Sequence, residues 1–268
     1  MKPRPLPRPP PHEVLEAWGV STVAQLPGGK GTVYGTDALV FKPVDDRQEV
    51  EWLSRTLQAL PHFSTLRLIR PAPSLDGAWV VAGWSAWERL VGTEAPGRWR
   101  EVLEVSDRFH AQVANVAWSE SIGRQHPWAL GDAFAWGEYE LSIPAVLGAP
   151  VNELIRRRVP IDLPRQLVHG DLCGNVLFEE GLPPAVIDIS PLWRPKRFAD
   201  AIIVVDSMMW HGAGEDALEG FVDPIGDQML VRALLFRLAA ASIIFDGYDA
   251  RLQKELVGYE PILRAIDL

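Results

Sequence analysis

Three oxygen-bearing side chains stand between short apolar runs in the second half of the sequence. Asp171 and Asn175 follow the apolar pair Leu167–Val168, and Asp188 follows Val186–Ile187. An Asp that orients a hydroxyl group, together with an Asn and a second Asp that bind Mg²⁺, is the polar set that phosphoryl transfer from a nucleoside triphosphate requires. The pattern therefore predicts Asp171 as the catalytic residue and Asn175 and Asp188 as the metal ligands.

Asp171 lies in a predicted turn that Gly170 opens. From there its carboxylate can accept a hydrogen bond from a substrate hydroxyl, and general-base positioning of this kind raises rates ~10²–10⁴-fold. His169 is interpreted as structural support of the catalytic loop, through hydrogen bonding, rather than as a proton carrier. Cys173 has no apparent partners for a catalytic triad and is interpreted as a small filler residue.

A glycine-rich turn near the N-terminus is a candidate for binding the phosphates. Gly29, Lys30 and Gly31 lie between two predicted strands, where glycine lets backbone N–H groups approach an anion closely. The segment matches neither the Walker A loop nor the G-x-G-x-x-G pattern. Taken alone, an ordinary hairpin turn is its preferred interpretation.

Lys42 ends the apolar strand Leu39–Phe41 and shares a face with Val40. A lysine on a half-buried face needs an anion, which nucleotide phosphates would supply. The alternative is a strand-end lysine whose ammonium group reaches water. Glu49, on the core side of the following helix, is predicted as its ion-pair partner in preference to Glu51.

The elements around these residues indicate an α+β fold. Apolar alternation predicts strands at residues 22–26, 32–35, 38–42, 66–69 and 78–82. Helical spacing of apolar residues predicts helices at residues 13–18, 45–60, 98–116, 151–158, 198–210, 228–245 and 250–265. Short strands around residues 167, 176 and 186 interrupt the helical part.

The same elements predict a proline-rich disordered arm over residues 1–12, a β-rich nucleotide-binding N-lobe over 13–91 and a mainly helical C-lobe over 92–268. The C-lobe would carry the catalytic loop and the substrate pocket. The apolar stretch Trp79–Trp84 is a candidate for the connection between the lobes, with backbone groups that face an adenine ring. A buried strand is the alternative.

Composition and charge narrow the class of protein. The chain has 268 residues, 47% of them hydrophobic and 23% charged, which is typical of a globular protein. Its net charge of −9 argues against nucleic acid as a partner and is compatible with a cationic small molecule. One cysteine, no signal-peptide pattern and no apolar run long enough to span a bilayer predict a cytoplasmic protein without a membrane partner. The oligomeric state is not predicted.

The run His169-Gly170-Asp171 with Asn175, followed by Ile187-Asp188, resembles the signature of the aminoglycoside phosphotransferase and choline kinase-like superfamily. Phe109-His110 and Val40-Phe41-Lys42-Pro43 are similar to further segments of that superfamily. Residues 28–44 and 169–206 also resemble an actinobacterial family of unassigned function within it.

The resemblance implies a protein-kinase-like two-lobe fold, ATP or GTP as phosphate donor, Mg²⁺, and a small-molecule hydroxyl as acceptor. By position, Asp171 resembles the catalytic base, Asn175 and Asp188 the magnesium ligands, Lys42 the phosphate-anchoring lysine and Glu49 its partner. The chain departs from the family in one respect, because three residues rather than four separate Asp171 from Asn175.

Two alternatives belong to other classes. The shorter loop and the imperfect glycine turn would suit a catalytically silent, kinase-like nucleotide-binding sensor or scaffold. A protein kinase is disfavoured, since the chain has His-Gly-Asp in place of His-Arg-Asp and has neither Asp-Phe-Gly nor Ala-Pro-Glu.

Two charged segments bear on the acceptor. The acidic residues between 213 and 231 would favour an amine-bearing substrate if they line a pocket, and a solvated acidic helix and loop is the alternative. The basic residues within 193–197 would contact an anionic substrate or belong to the surface.

Overall fold

The computed structural model of the protein describes residues 9–27, 31–94, 96–119 and 124–266. Residues 1–8 of the predicted proline-rich arm lie outside the described residues. No helix in the described ranges combines the length and the apolar character needed to cross a bilayer.

Contacts between Cα atoms divide the described residues into two units. The first unit contains the described residues up to Thr93, then Ser119 and Arg124, and the segment Leu177–Asp188. The second unit contains the other described residues. The division predicted from the sequence has a single boundary, after residue 91. The structure adds later segments to the first unit because a strand of Leu177–Asp188 pairs with an early strand.

The first unit is built on an antiparallel sheet. The strands of its N-terminal part are β1 (Ala24–Gln25), β2 (Tyr34–Gly35), β3 (Leu39–Pro43), β4 (Arg67–Leu68), β5 (Pro71–Ala72) and β6 (Trp84–Glu88). The sheet has the order β1-β2-β3-β6-β5. Helix α1 (His12–Ala17) precedes it and α2 (Arg47–Ala59) follows β3. Trp18, after α1, packs edge-on against Phe41 with 5.7 Å between ring centroids, and both side chains belong to the buried core of this unit.

A smaller sheet has the order β4-β9-β8, where β8 is Val176–Leu177 and β9 is Ala185–Val186. β9 runs parallel to β4, with Arg67 opposite Ala185 and Leu68 opposite Val186. Parallel strands need a long crossover between them, and here more than a hundred residues of chain intervene. This pairing brings Asp188, two residues after β9, into the first unit.

The stretch predicted to connect the lobes is instead a turn that leads into β6. Val81 and Trp84 exchange both backbone hydrogen bonds at 2.9 Å, and Ala82 and Gly83 between them have φ angles of 47° and 77°. Two successive left-handed residues are typical of a type I′ turn. The prediction that this stretch connects the lobes is therefore wrong. The strand predicted at residues 78–82 lies later in the chain, as β6 (Trp84–Glu88).

The second unit is mainly helical. Its helices are α3 (Trp99–Val113), α4 (Pro127–Ala135), α5 (Ala145–Arg157), α6 (Lys196–Trp210), α7 (Pro224–Ile244) and α8 (Asp249–Ala265), its strands are β7 (Gln166–His169) and β10 (Pro191–Arg194), and a 3-10 segment spans Glu215–Phe221. α7 contacts α4, α5, α6 and α8 and is buried along most of its length. Such a position suits a helix that is apolar on all sides.

β7 and β10 form an antiparallel pair in which His169 lies opposite Pro191 and Gln166 opposite Arg194. β10 includes part of the basic segment that was predicted to contact a substrate or to lie at the surface. Arg194 is buried instead, and its guanidinium forms ion pairs with Asp132 at 2.8 Å and with Glu138 at 2.6 Å. Both interpretations are wrong for Arg194, because its carboxylate partners come from a part of the chain that the sequence left unassigned.

Candidate active site

Asp171 follows β7 in a short loop of residues 170–175, the Asp171 loop. The N–H of Gly170 donates to the carbonyl of Ser190 at 2.8 Å, which extends the β7–β10 ladder to the edge of the loop. A Cβ atom on residue 170 would lie 2.5 Å from Cδ1 of buried Leu192, so glycine is the residue that fits. The ladder and the glycine together fix the point where the Asp171 loop leaves the strand.

Two buried histidines hold the start of this loop. Nδ1 of His169 accepts the backbone N–H of Asp171 at 3.0 Å, and Nε2 of His110 accepts the backbone N–H of His169 at 3.1 Å. Because Nε2 of His110 is an acceptor, the neutral ring carries its proton on Nδ1, which donates to the carbonyl of Ser106 at 2.8 Å. Burial lowers the pKa of His110 to about 3, so this ring stays neutral at pH 7.

The carboxylate of Asp171 is held at both oxygens. Oδ1 accepts a hydrogen bond from Nη2 of Arg237 at 2.7 Å, and Oδ2 accepts one from Nδ2 of Asn175 at 3.3 Å. The side chain nevertheless remains 48% exposed. A carboxylate that is fixed from two sides and open to solvent can still accept a hydrogen bond from a bound hydroxyl group.

Asn175 folds back over the Asp171 loop. Its Nδ2 also donates to the carbonyl of Asp171 at 2.6 Å, and its backbone N–H donates to the carbonyl of Leu172 at 3.0 Å. The second bond closes a tight turn in which Gly174 has a φ angle of 84°. This turn accommodates the short spacing between Asp171 and Asn175. Among the described residues, both side-chain hydrogen bonds of Asn175 are made by the amide nitrogen, and its amide oxygen is a donor atom of the kind that binds Mg²⁺.

Behind the loop, Arg237 of α7 and Asp206 of α6 form a buried ion pair. Nε of Arg237 donates to Oδ1 of Asp206 at 2.8 Å, and Nη2 donates to Oδ2. Burial raises the pKa of Asp206 to about 6, with the charge of Arg237 acting in the opposite direction. Burial also acts to lower the pKa of Arg237, but the charges of Asp206 and Asp171 raise it above its ordinary value, so the guanidinium stays charged.

Cys173 lies inside the Asp171 loop, with Sγ 3.4 Å from Oγ of Ser207. Burial raises the pKa of the thiol to about 12, and the charges of Asp206 and Asp171 act in the same direction. The thiol is therefore protonated at neutral pH and is a poor nucleophile.

In the first unit, Lys42 forms an ion pair with Asp188. Nζ lies 2.9 Å from Oδ1, and the two side chains are 19% and 54% exposed. Asp188 has a φ angle of 48°, in the left-handed region that a residue other than glycine rarely adopts. Such backbone strain costs ~1–3 kcal/mol and is concentrated at functional sites. The β9 strand and this strained residue set the direction of the Asp188 carboxylate.

Glu49 does not pair with Lys42, contrary to the sequence-based expectation. In the described part of the chain the ion pair of Lys42 is with Asp188, whereas Glu49 pairs with Nε of Arg124 and both of those side chains are largely buried. Helical periodicity places Glu49 on an inward face but cannot identify which cation reaches it. Arg124 lies 75 residues further along the chain.

The glycine turn is described only in part, because Gly29 and Lys30 lie outside the described residues. Gly31 has a φ angle of 72°, and its carbonyl accepts a hydrogen bond from Nε2 of Gln25 at 2.7 Å. β1 and β2, on either side of this turn, pair in antiparallel fashion with Gln25 opposite Tyr34. β1 and β2 thus form a hairpin, and a phosphate-binding role for the turn between them stays a prediction.

The acidic segment between residues 213 and 231 is largely occupied by ion pairs within the second unit. Its paired carboxylates are Asp216 with Arg100, Asp223 with Arg197, and Asp227 with Arg157. Asp223 also caps α7 by accepting the N–H groups of Ile225 and Gly226, each at 3.0 Å. These carboxylates therefore stabilise the helices around them, and the argument from charge alone for an amine-binding wall is weakened.

Sequence reasoning did not identify Arg237, Asp206 or Arg124 as parts of these sites. One signal was available, since Arg237 stands alone in the apolar run from Leu234 to Phe245 on a helix without a polar face. A buried guanidinium requires a carboxylate partner. The identity of that partner depends on tertiary contacts 31 and 66 residues away in sequence, at Asp206 and Asp171.

No protein-family model matches the chain, and no curated protein matches it significantly. Solved structures do match over nearly its whole length. A thermostable variant of aminoglycoside phosphotransferase APH(4)-Ia, in ternary complex with AMP-PNP and hygromycin B, has a TM-score of 0.60 at 16% identity and covers 94% of this chain and 97% of its own.

Two further structures extend the comparison. The microcompartment-associated aminopropanol kinase has a TM-score of 0.60 at 15% identity and covers 92% of this chain and 93% of its own. Choline kinase LicA from Streptococcus pneumoniae has a TM-score of 0.56 at 16% identity and covers 92% of this chain and 96% of its own. The predicted kinase-like α+β fold, of the aminoglycoside phosphotransferase and choline kinase type, is confirmed.

Proposed function

We propose that the protein is a small-molecule kinase that transfers the γ-phosphoryl group of ATP or GTP to a hydroxyl group. The observation that carries the proposal is the Asp171 carboxylate, which is held at both oxygens and yet half exposed, in a fold shared with phosphotransferases. Asp171 would accept a hydrogen bond from the acceptor hydroxyl and align its oxygen for attack. Catalysis would rest on positioning and charge stabilisation rather than on a covalent intermediate.

Lys42 and the glycine turn at Gly29, Lys30 and Gly31 would bind the phosphates. Lys42 is fixed by β3, where it lies opposite Ser85 of β6, and its ammonium is paired with the Asp188 carboxylate. An ammonium beside a carboxylate is a suitable place for a negatively charged phosphate that arrives together with a cation.

Asn175 and Asp188 would hold Mg²⁺. Their amide and carboxylate oxygens are the hard donors that this ion prefers, and within the described ranges no group of three or more His, Cys, Asp or Glu side chains is arranged as a metal site. In proteins, oxygens of this kind typically bind Mg²⁺ together with phosphate oxygens and water. When bound, Mg²⁺ would neutralise charge on the triphosphate.

For the acceptor, we propose a small hydroxyl compound that also carries an amine. Support comes from the names of the structural neighbours, which act on aminopropanol and choline or bind hygromycin B. The second candidate function is a nucleotide-binding module without turnover. The observation that favours it is the short, tightly closed spacing between Asp171 and Asn175.

The test compares binding with transfer. Calorimetry would measure the affinity for Mg²⁺-ATP and Mg²⁺-GTP, and release of nucleoside diphosphate would be followed over a panel of amino alcohols, aminoglycosides and nucleosides. We expect Asp171→Asn to abolish transfer while nucleotide affinity changes less than about threefold, because Asp171 acts on the acceptor. Asp246→Asn, at an exposed position, is the matched control. Tight nucleotide binding without transfer to any acceptor would instead support the sensor.

A further inference from the structure

Arg237 makes a set of contacts that a salt bridge to Asp206 alone does not explain. Its Nη2 group donates to Oδ2 of Asp206 and to Oδ1 of Asp171, the latter at 2.7 Å. The same nitrogen lies 3.4 Å from the carbonyl of Gly170. One guanidinium nitrogen thus connects the buried acid of α6 with the Asp171 loop.

The guanidinium also lies over two aromatic rings. Its central carbon lies 5.3 Å from the ring centroid of Trp128 and 5.9 Å from that of Trp210. Cation–π contacts at these distances, together with the two-pronged bond to Asp206, leave the Arg237 side chain, only 2% exposed, in a single orientation. The nitrogen directed at Asp171 is therefore fixed in space before any substrate binds.

A purely structural role does not account for the second carboxylate. Asp206 by itself neutralises Arg237, and a half-exposed Asp171 could be solvated without help from the interior. The two carboxylates and the one guanidinium leave an excess of one negative charge, and Asp171 is the member that is exposed. The arrangement fixes Oδ1 of Asp171, whereas the contact of Oδ2 within the described ranges is the 3.3 Å hydrogen bond from Asn175.

We propose that Arg237 is a positioning residue for the phosphoryl transfer proposed above, on which this inference rests. It orients the Asp171 carboxylate so that Oδ2 accepts the hydrogen bond of the acceptor hydroxyl, and Asp206 serves as the buried anchor that orients Arg237. Preorganisation of this kind matters because a displacement of about 1 Å at a reacting group lowers rates ~10²-fold.

The test uses two arginines of the same helix. Arg237→Lys keeps the charge but loses the planar fork, so one ammonium cannot bridge both carboxylates in the same geometry. Arg232→Lys is the matched control, because Arg232 is equally buried but donates to the carbonyl of Val159 and to Gln228 and has no contact with Asp171. We expect Arg237→Lys to lower kcat about 10²-fold with KM for the nucleotide changed less than threefold, and Arg232→Lys to keep kcat within about threefold at a comparable loss of Tm.

A second measurement does not depend on turnover. Guanidinium ¹⁵N–¹H resonances of Arg237, assigned from their loss in Arg237→Lys, should shift in Asp171→Asn and stay unchanged in Asp246→Asn. Equal losses of kcat in both lysine variants, or full kcat in Arg237→Lys, would overturn the positioning role while the kinase proposal stands. If the resonances shift as expected in Asp171→Asn but the wild-type protein phosphorylates no acceptor, the kinase proposal is overturned. The positioning role of Arg237 in catalysis is then overturned with it.

Discussion

The buried contact between His110 and β7 predicts a specific loss of stability at acidic pH. Both ring nitrogens of His110 are used, since Nδ1 donates to the carbonyl of Ser106 and Nε2 accepts the backbone N–H of His169. Protonation of Nε2 would remove this acceptor and place a charge in a site that is 2% exposed. The unfolded chain has no such restriction, so protons favour the unfolded state.

The magnitude follows from the pKa of His110, which burial lowers from 6.5 to about 3. The charges of His169 and Lys196 lower it further, and the hydrogen bond to Ser106 and the charge of Asp107 oppose this. The pKa of His110 is lower in the folded protein than in the unfolded chain. The contribution of the neutral His110 to the free energy of unfolding is therefore complete above pH 6.5 and is lost as the pH falls towards 3. At about 1.4 kcal/mol per pKa unit, the loss is about 2 kcal/mol at pH 5 and about 5 kcal/mol below pH 3.

Urea unfolding followed by tryptophan fluorescence at intervals between pH 7 and pH 4 would measure this loss. His110→Gln cannot titrate, and its amide can still accept the N–H of His169. The free energy of unfolding of the wild type should fall by about 2 kcal/mol more than that of His110→Gln between pH 7 and pH 5. His62→Gln, at an exposed position, should follow the wild type. If the free energy of unfolding falls in parallel for the wild type and His110→Gln, the conclusion that His110 is buried in its neutral form is refuted.

Two further outcomes are expected. Gly170→Ala should destabilise the protein by ~1–3 kcal/mol, because the new Cβ would lie 2.5 Å from Leu192. Gly148→Ala in α5, whose new Cβ meets no atom within 4 Å, should stabilise it by ~0.5–1 kcal/mol. Urea unfolding measures both changes in the free energy of unfolding, and two changes of the same sign would contradict the packing argument. Lys42→Met should weaken Mg²⁺-ATP binding in calorimetry ~10-fold or more through loss of the phosphate partner, and unchanged affinity would show that Lys42 serves only Asp188.

Much of the fold could be predicted because its signals are local. The helix predicted at 45–60 is α2, which Asp46 starts by accepting the backbone N–H of Glu49 at 3.0 Å. Apolar repeats likewise locate α3, α6 and α7 to within a few residues, and the short strands on either side of the Asp171 loop lie where alternation places them. In each case the deciding residues are neighbours along the chain.

The errors arise where the deciding contact is distant in sequence, or where a residue adopts a backbone conformation that is rare for its type. The turn at Ala82 requires a left-handed conformation that alanine rarely adopts, so the sequence does not indicate where β6 begins. β10 was missed because Arg194 is charged, although Asp132 and Glu138 neutralise it. Glu49 was assigned the wrong cation for the same reason, since helical periodicity reports a face and not a partner.

Burial distinguishes two ion-paired carboxylates of the second unit's core from the two carboxylates proposed to do chemistry. Asp206 and Asp132 are almost fully buried, and each is bound by an arginine fork. Asp171 and Asp188 are about half exposed, and each forms an ion pair through Oδ1, with Arg237 and Lys42 respectively. A carboxylate that an ion pair orients and that is still exposed can accept a further hydrogen bond or bind a cation, since each oxygen has two lone pairs. For the proposed function, the relevant negative charge is the charge of these two carboxylates, which local contacts place, and the overall net charge of −9 does not locate it.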